Sequence, residues 1–130
     1  MSPEEVVRRF FELGAQGDRA GVAELLDPDV VWFGTRGGLD ANRTSRGTEA
    51  FLDYMQEIEE TWQRLEIDVE RVIESGETVV AFLHESARGR GDLDVERETA
   101  VVFRVRGGKL TEARGYLDRG AALEATGLGA

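Results

Sequence analysis

TAVVFRVRGGKLTEARGYLD, residues 99–118, decides how the chain folds. Thr99, Val101, Phe103 and Val105 alternate with other residues at a period of two, the signature of a strand with one apolar face. Gly107-Gly108 follows, a pair free to adopt the positive φ angles of a tight hairpin, and leads into a second strand from Leu110 to Asp118. Working outward, the same grammar appears upstream. Leu65, Ile67 and Val69, then Val72-Ile73, predict a strand, which Gly76 turns into another from Val79 to Ser86. Gly89 and Gly91 separate that strand from the one that begins the quoted stretch. Four strands joined by short turns predict an antiparallel meander.

The amino-terminal half reads differently. Ser2-Pro3-Glu4-Glu5 places a cap, a proline at the first helical position and a glutamate three residues after the cap. Val6, Phe10 and Leu13, widened by Val7 and Phe11, form the apolar stripe of a first helix, which ends at Gly14 to Gly17. Asp18 caps a short second helix through Val22, Leu25 and Leu26, closed by Pro28. Val30-Val31-Trp32-Phe33 reads as a strand, Thr35 to Arg46 as a long polar loop, and Thr48 as the start of a third helix carrying Phe51, Met55, Ile58 and Trp62. A short terminal helix, Ala121 to Thr126, follows Asp118, whose side chain suits its cap. This order predicts one α+β domain over residues 1–130, with three N-terminal helices packed over the concave face of a cone-shaped, curved antiparallel sheet and a short C-terminal helix.

Composition narrows the function. The 16 Lys+Arg against 26 Asp+Glu give a formal charge of −10, which repels phosphate backbones and anionic lipid, so neither nucleic acid nor a membrane is an expected partner. With no cysteine and one histidine, a thiolate nucleophile and a sulfur-based zinc site are excluded, and no metal or cofactor is expected. No apolar run approaches a membrane span, and the start carries acids where a secretory signal carries bases, so the expected location is the cytoplasm.

Several segments together resemble the nuclear transport factor 2-like superfamily, which includes SnoaL-like polyketide cyclases, ketosteroid isomerases and limonene epoxide hydrolases. They are Val6-Val7-Arg8-Arg9-Phe10 with Gly17-Asp18, Leu25 through Trp32, Arg46-Gly47-Thr48-Glu49-Ala50-Phe51, and Val101 through Leu110 running on to Arg114-Gly115-Tyr116-Leu117-Asp118. The resemblance spans nearly the whole chain and implies a cone whose interior holds the chemistry. It also implies that Phe10, Trp32, Gly34, Phe51, Tyr54, Met55, Phe82, His84, Ser86, Thr99, Val101, Phe103, Ala113, Gly115 and Leu117 point inward. The acid-base groups of the family are missing at the matching positions: Phe10, Val101 and Gly34 stand where a ketosteroid isomerase needs its oxyanion donors and base. Positions matching the epoxide hydrolase machinery hold Gly115, His84, Phe82, Trp32 and Gly34, and the cyclase carboxylate position near Gly115 has no side chain.

An apolar pocket with a few polar groups is the default small-molecule site. Trp32, Tyr54, Phe82, Ser86, Thr99, Val101, Phe103 and Gly115 are accordingly the expected ligand contacts, and His84, the one histidine of the chain, is the expected catalytic acid or base. Alternation assigns Glu85 to the opposite face of the sheet, and Asp118 to the helix cap. A register displaced by one residue would exchange the two faces and bring Glu98 or Arg97 into play. Arg36, Arg43 and Arg46 read as a solvated loop. Two function classes stay open: a small-molecule enzyme doing proton transfer on an apolar, cyclic substrate, and a non-catalytic ligand-binding or accessory protein. In either, a homodimer through the convex sheet face is expected, because apolar residues there alternate with Glu98, Arg104 and Arg114.

Overall fold

The computed structural model describes residues 1–38, 41–62, 64–89 and 94–128. Helix α1 (Pro3–Ala15) starts at the expected capping box: Ser2 accepts from the Glu5 amide and the Glu5 carboxylate accepts from the Ser2 amide, each at 3.2 Å. Helix α2 (Arg19–Leu25) is capped by Asp18, and the chain passes directly into strand β1 (Leu26–Arg36). The segment expected to be an unbroken loop contains a short edge strand, β2 (Thr44–Arg46), which pairs antiparallel with β1. Its polar sequence hid it, because an edge strand need bury little: among its three residues Ser45 alone is buried.

Helix α3 (Thr48–Thr61) precedes β3 (Arg64–Ser75), β4 (Thr78–Arg88), β5 (Asp94–Arg106), β6 (Lys109–Tyr116) and helix α4 (Arg119–Thr126). The β5–β6 hairpin closes through Gly107 and Gly108 with φ of 60° and 77°, as its sequence requires. Asp118 accepts from the Gly120 and Ala121 amides and so caps α4 as expected.

The strands form one curved sheet in the order β2-β1-β6-β5-β4-β3. The α+β class and the three helices on the concave face are as predicted. One pair, β1 with β6, is parallel, because the chain leaves β1 and crosses through α3 and the meander before returning beside it. Helix α1 packs against β3, β4, β5 and β6, whereas α3 packs against β1 and β2. The main core lies between them: Val6, Val7, Phe10, Leu13, Val22, Phe51, Val79, Ala81, Leu83, Phe103, Val105 and Leu110 are all buried. A second cluster of Val80, Phe82, Ala100, Tyr116 and Ala122 lies on the convex face under α4. Among the described residues no helix is long and apolar enough to cross a membrane.

Strand β3 carries a β-bulge. Val69 pairs with Leu83 but Arg71 pairs with Phe82, so Glu70 is an extra residue in the ladder. Side chains of β3 therefore run inward at Val69, outward at Glu70 and Arg71, and inward again at Val72; both valines pack on the main core, while Ile73 packs on the convex cluster. This single insertion keeps Val69 and Val72 on the same inner face of β3 and sets which residues of β3 lie beside the inward residues of β4.

Candidate functional site

On β4, Val79, Ala81 and Leu83 belong to the core under the helices, whereas Val80 and Phe82 belong to the cluster under α4. The β4–β5 ladder runs without interruption from Thr78 to Arg88, so the alternation continues and Glu85 faces inward while His84 and Ser86 face outward. The expectation for Phe82, His84 and Ser86 is thus corrected: all three stand on the convex face. The reason is the alternation of β4 itself: Val79, Ala81 and Leu83 enter the core, and no bulge interrupts the β4–β5 ladder before Glu85. The extra residue at Glu70 displaces β3 by one against β4, so that Ile67 and Val69 pair with Glu85 and Leu83 rather than with Ser86 and His84.

His84 is about one-third exposed at its side chain, 32%, and its Nε2 lies 3.6 Å from Glu96. Its register partners are Asp68 and Glu98. Ser86 donates to Glu96 at 3.4 Å, and Phe82 lies beneath the Arg119 guanidinium, 5.3 Å from its ring centre. A groove of about 600 Å³ opens beside these residues, lined by Arg64, Glu66, Ser86, Arg88, Asp94 and Glu96. Its side chains are mutually neutralising: Arg64 pairs with Glu66, and Arg88 with Asp94 at 3.1 Å. Among the described residues no group of three or more His, Asp or Glu side chains could hold a metal ion.

The other expected contacts lie on the concave side. Trp32 pairs in register with Ala113, which pairs with Phe103, and Val101 pairs with Gly115. Trp32 packs on Phe51 and Tyr54 with ring centres at 4.6 and 4.9 Å, and Phe103 meets Phe10 and Phe11 at 5.6 and 5.7 Å. These rings fill the α1 end of the cone. Arg43 crosses the Tyr54 ring at 4.3 Å and pairs with Glu57 at 2.6 Å. Gly115 has a steric reason to lack a side chain: a Cβ there would stand 2.8 Å from Thr35 Oγ1.

Beyond the rings the concave face carries a polar cluster. Two rows cross the sheet, Ile67-Glu85-Arg97 and Val69-Leu83-Thr99. Thr99, 3% exposed, donates from Oγ1 to Glu85 Oε2 at 2.7 Å, and Arg97 Nε donates to the same oxygen at 3.2 Å. The Glu85 side chain is only 15% exposed, with both bonds on one carboxylate oxygen. Ile67 beside it is 41% exposed, a large apolar side chain that the helices leave uncovered on the inner surface. A carboxylate fixed by two donors beside an uncovered apolar side chain can accept a hydrogen bond from a ligand or take a proton from it. Sequence reasoning missed Glu85 because Val79 to Leu83 is apolar throughout and has no alternation of its own. The signal lay on β3, where the apolar spacing changes from two residues to three between Val69 and Val72.

Comparison with known proteins agrees with this architecture. The model of the SnoaL-like domain matches residues 7–113. The chain belongs to the SnoaL-like domain family. Among solved structures, the SnoaL-like domain superposes on a nuclear transport factor 2-like protein of unknown function from Burkholderia pseudomallei at TM-score 0.79 and 22% identity, covering 95% of this chain and 97% of that one. It is similar to TerC co-crystallised with polyporic acid, at TM-score 0.78 and 21% identity over 95% and 97% of the two chains. It is also similar to a protein described as a SnoaL-like polyketide cyclase from Jannaschia, at TM-score 0.79 and 23% identity over 95% and 90%. No curated protein matches the sequence. At these identities the SnoaL-like neighbours establish the fold alone.

Proposed function

We propose that this SnoaL-like domain binds a small, largely apolar, cyclic molecule on its concave face, and that Glu85 is the group that orients it and handles a proton. The observation that carries the reading is the inward carboxylate, bonded by Thr99 and Arg97 beside the uncovered Ile67. Burying a carboxylate is unfavourable, and a protein that needed only stability there would use an apolar side chain. Two structural neighbours, TerC with polyporic acid and a protein of ketosteroid isomerase-like fold with trimethylamine, carry small organic molecules on this fold, which supports a small organic ligand here.

The test is fluorescence titration with N-phenyl-1-naphthylamine, a neutral bicyclic aryl amine whose N–H can donate to a carboxylate. Glu85→Gln is expected to weaken binding about fivefold or more, the cost of a lost charge-assisted hydrogen bond. His84→Ala is expected to leave it unchanged. Binding of the probe that is indifferent to Glu85 contradicts the reading. The non-catalytic alternative predicts the same binding but no turnover of any bound carbonyl or hydroxyl compound, so the two classes separate at the assay for proton exchange into the bound molecule.

A further inference from the structure

We propose that Arg119, on the far side of the sheet, is the positioning residue that fixes Glu85 in the cone; this rests on the reading of Glu85 given above. Arg119 is the first residue of α4, and its side chain crosses the convex face. Nη2 donates to the Leu83 carbonyl at 2.8 Å and Nε to the Thr99 carbonyl at 3.2 Å. Leu83 and Thr99 are register partners in the β4–β5 ladder. Their side chains emerge on the concave face, one of them the hydroxyl that holds Glu85. The same Nη2 binds the carboxylate of Glu70, the extra residue of the bulge. Nη1 approaches Glu98 at 3.9 Å, and the guanidinium plane covers Phe82.

One cation therefore ties together the three strands at the point where the β3–β4 register changes. A strand pairing can slip by one residue, and a slip of β3 there would turn Ile67 and Val69 off the inner face and take away the apolar neighbour of Glu85. Arg119 opposes it in two ways: it holds the bulged residue outward, and it occupies the free lone pairs of both carbonyls in the pair beside Glu85. Only a guanidinium spans these acceptors together. An ammonium offers a compact point of charge rather than a planar fork.

The alternative role is an anchor for α4 and nothing more, and two readouts separate them. Amide hydrogen exchange compares Arg119→Ala and Arg119→Lys with Ala122→Gly, which loosens the buried α4 contact without touching the clamp. Arg119→Ala is expected to accelerate exchange tenfold or more across residues 67–70, 83–85 and 97–99, with Lys restoring part of the protection, whereas Ala122→Gly accelerates α4 itself. Equal effects of Arg119→Ala and Ala122→Gly on the strands overturn the proposal. The second readout is a double-mutant cycle on N-phenyl-1-naphthylamine affinity. The effect of Glu85→Gln is expected to shrink at least threefold in the Arg119→Ala background, or in Arg119→Lys if the alanine variant does not fold. An undiminished effect overturns the positioning role. If Glu85→Gln has no effect in the unaltered protein, the binding reading fails by itself and hydrogen exchange decides the role of Arg119.

Discussion

Thr99→Val is the substitution that asks most sharply whether Glu85 lies inside the cone. Valine reproduces the shape of threonine, so packing around this buried position is retained and the change is confined to the hydroxyl. That hydroxyl donates to a carboxylate at 2.7 Å, in a place where Glu85 is 15% exposed and water can replace the donor only in part. A hydrogen bond to a charged group contributes about 1.5–3 kcal/mol. Because Arg97 stays bound to the same oxygen, the loss belongs at the lower end, about 1.5 kcal/mol, or a fall in Tm of about 5–7 °C for a chain of this size. Urea unfolding should give the same decrement with an unchanged slope. In a cycle with Glu85→Gln the two changes should be non-additive by about 1 kcal/mol, since they share one interaction. In the register with His84 inside, the Thr99 hydroxyl has no carboxylate to meet. Exchanging it for a methyl group would then be neutral or stabilising, and that result would refute the assignment.

Other consequences are independent of this bond. Gly115→Ala drives a Cβ to 2.8 Å from Thr35 Oγ1 and should cost about 1–3 kcal/mol by overpacking, measured by thermal unfolding, with a smaller cost in a Thr35→Ala background. The Glu5 carboxyl is held below its ordinary value of 4.5 by hydrogen bonding with the Ser2 backbone and then its hydroxyl. A depressed folded value means that its stabilisation is fully present above the ordinary value and is lost as pH falls through the lower one. The Tm difference between the unaltered protein and Glu5→Gln should therefore vanish on acidification and be constant near neutrality. Purified protein should not isomerise a Δ5-ketosteroid, because Phe10, Gly34 and Val101 provide no oxyanion donor and no base; turnover above background would show that other groups perform that chemistry.

Much of the architecture was readable because it is written in local chemistry. The Ser2 capping box, the Asp18 and Asp118 caps and the Gly107-Gly108 turn each specify a backbone conformation within a few residues. Strand β2 was not readable, since Thr44, Ser45 and Arg46 gain their order from β1 rather than from their own pattern. The face of β4 is not written in its own residues. Val79 through Leu83 is buried on both sides, by the helices on one and α4 on the other, so alternation carries no information there. Where β5 alternates beneath the helices, Thr99, Val101 and Phe103 stand where expected; where β4 depended on its non-local pairing with β5, the register Glu85↔Arg97 and Leu83↔Thr99 reversed the assignment of His84 and Glu85. The terminal helix was legible as an element but not as a cover for Val80, which removes part of the apolar convex face on which a dimer contact was expected.

The most direct test of the inward Glu85 exploits the absence of cysteine from the chain. His84→Cys and Glu85→Cys each introduce a unique thiol on adjacent residues of one strand, and their rates of reaction with a maleimide can be compared with and without saturating N-phenyl-1-naphthylamine. The thiol at position 85 should react more slowly and be protected by the probe, while the thiol at position 84 should react freely and be indifferent to it. Protection at position 84 with free reaction at position 85 would contradict the structure of the site.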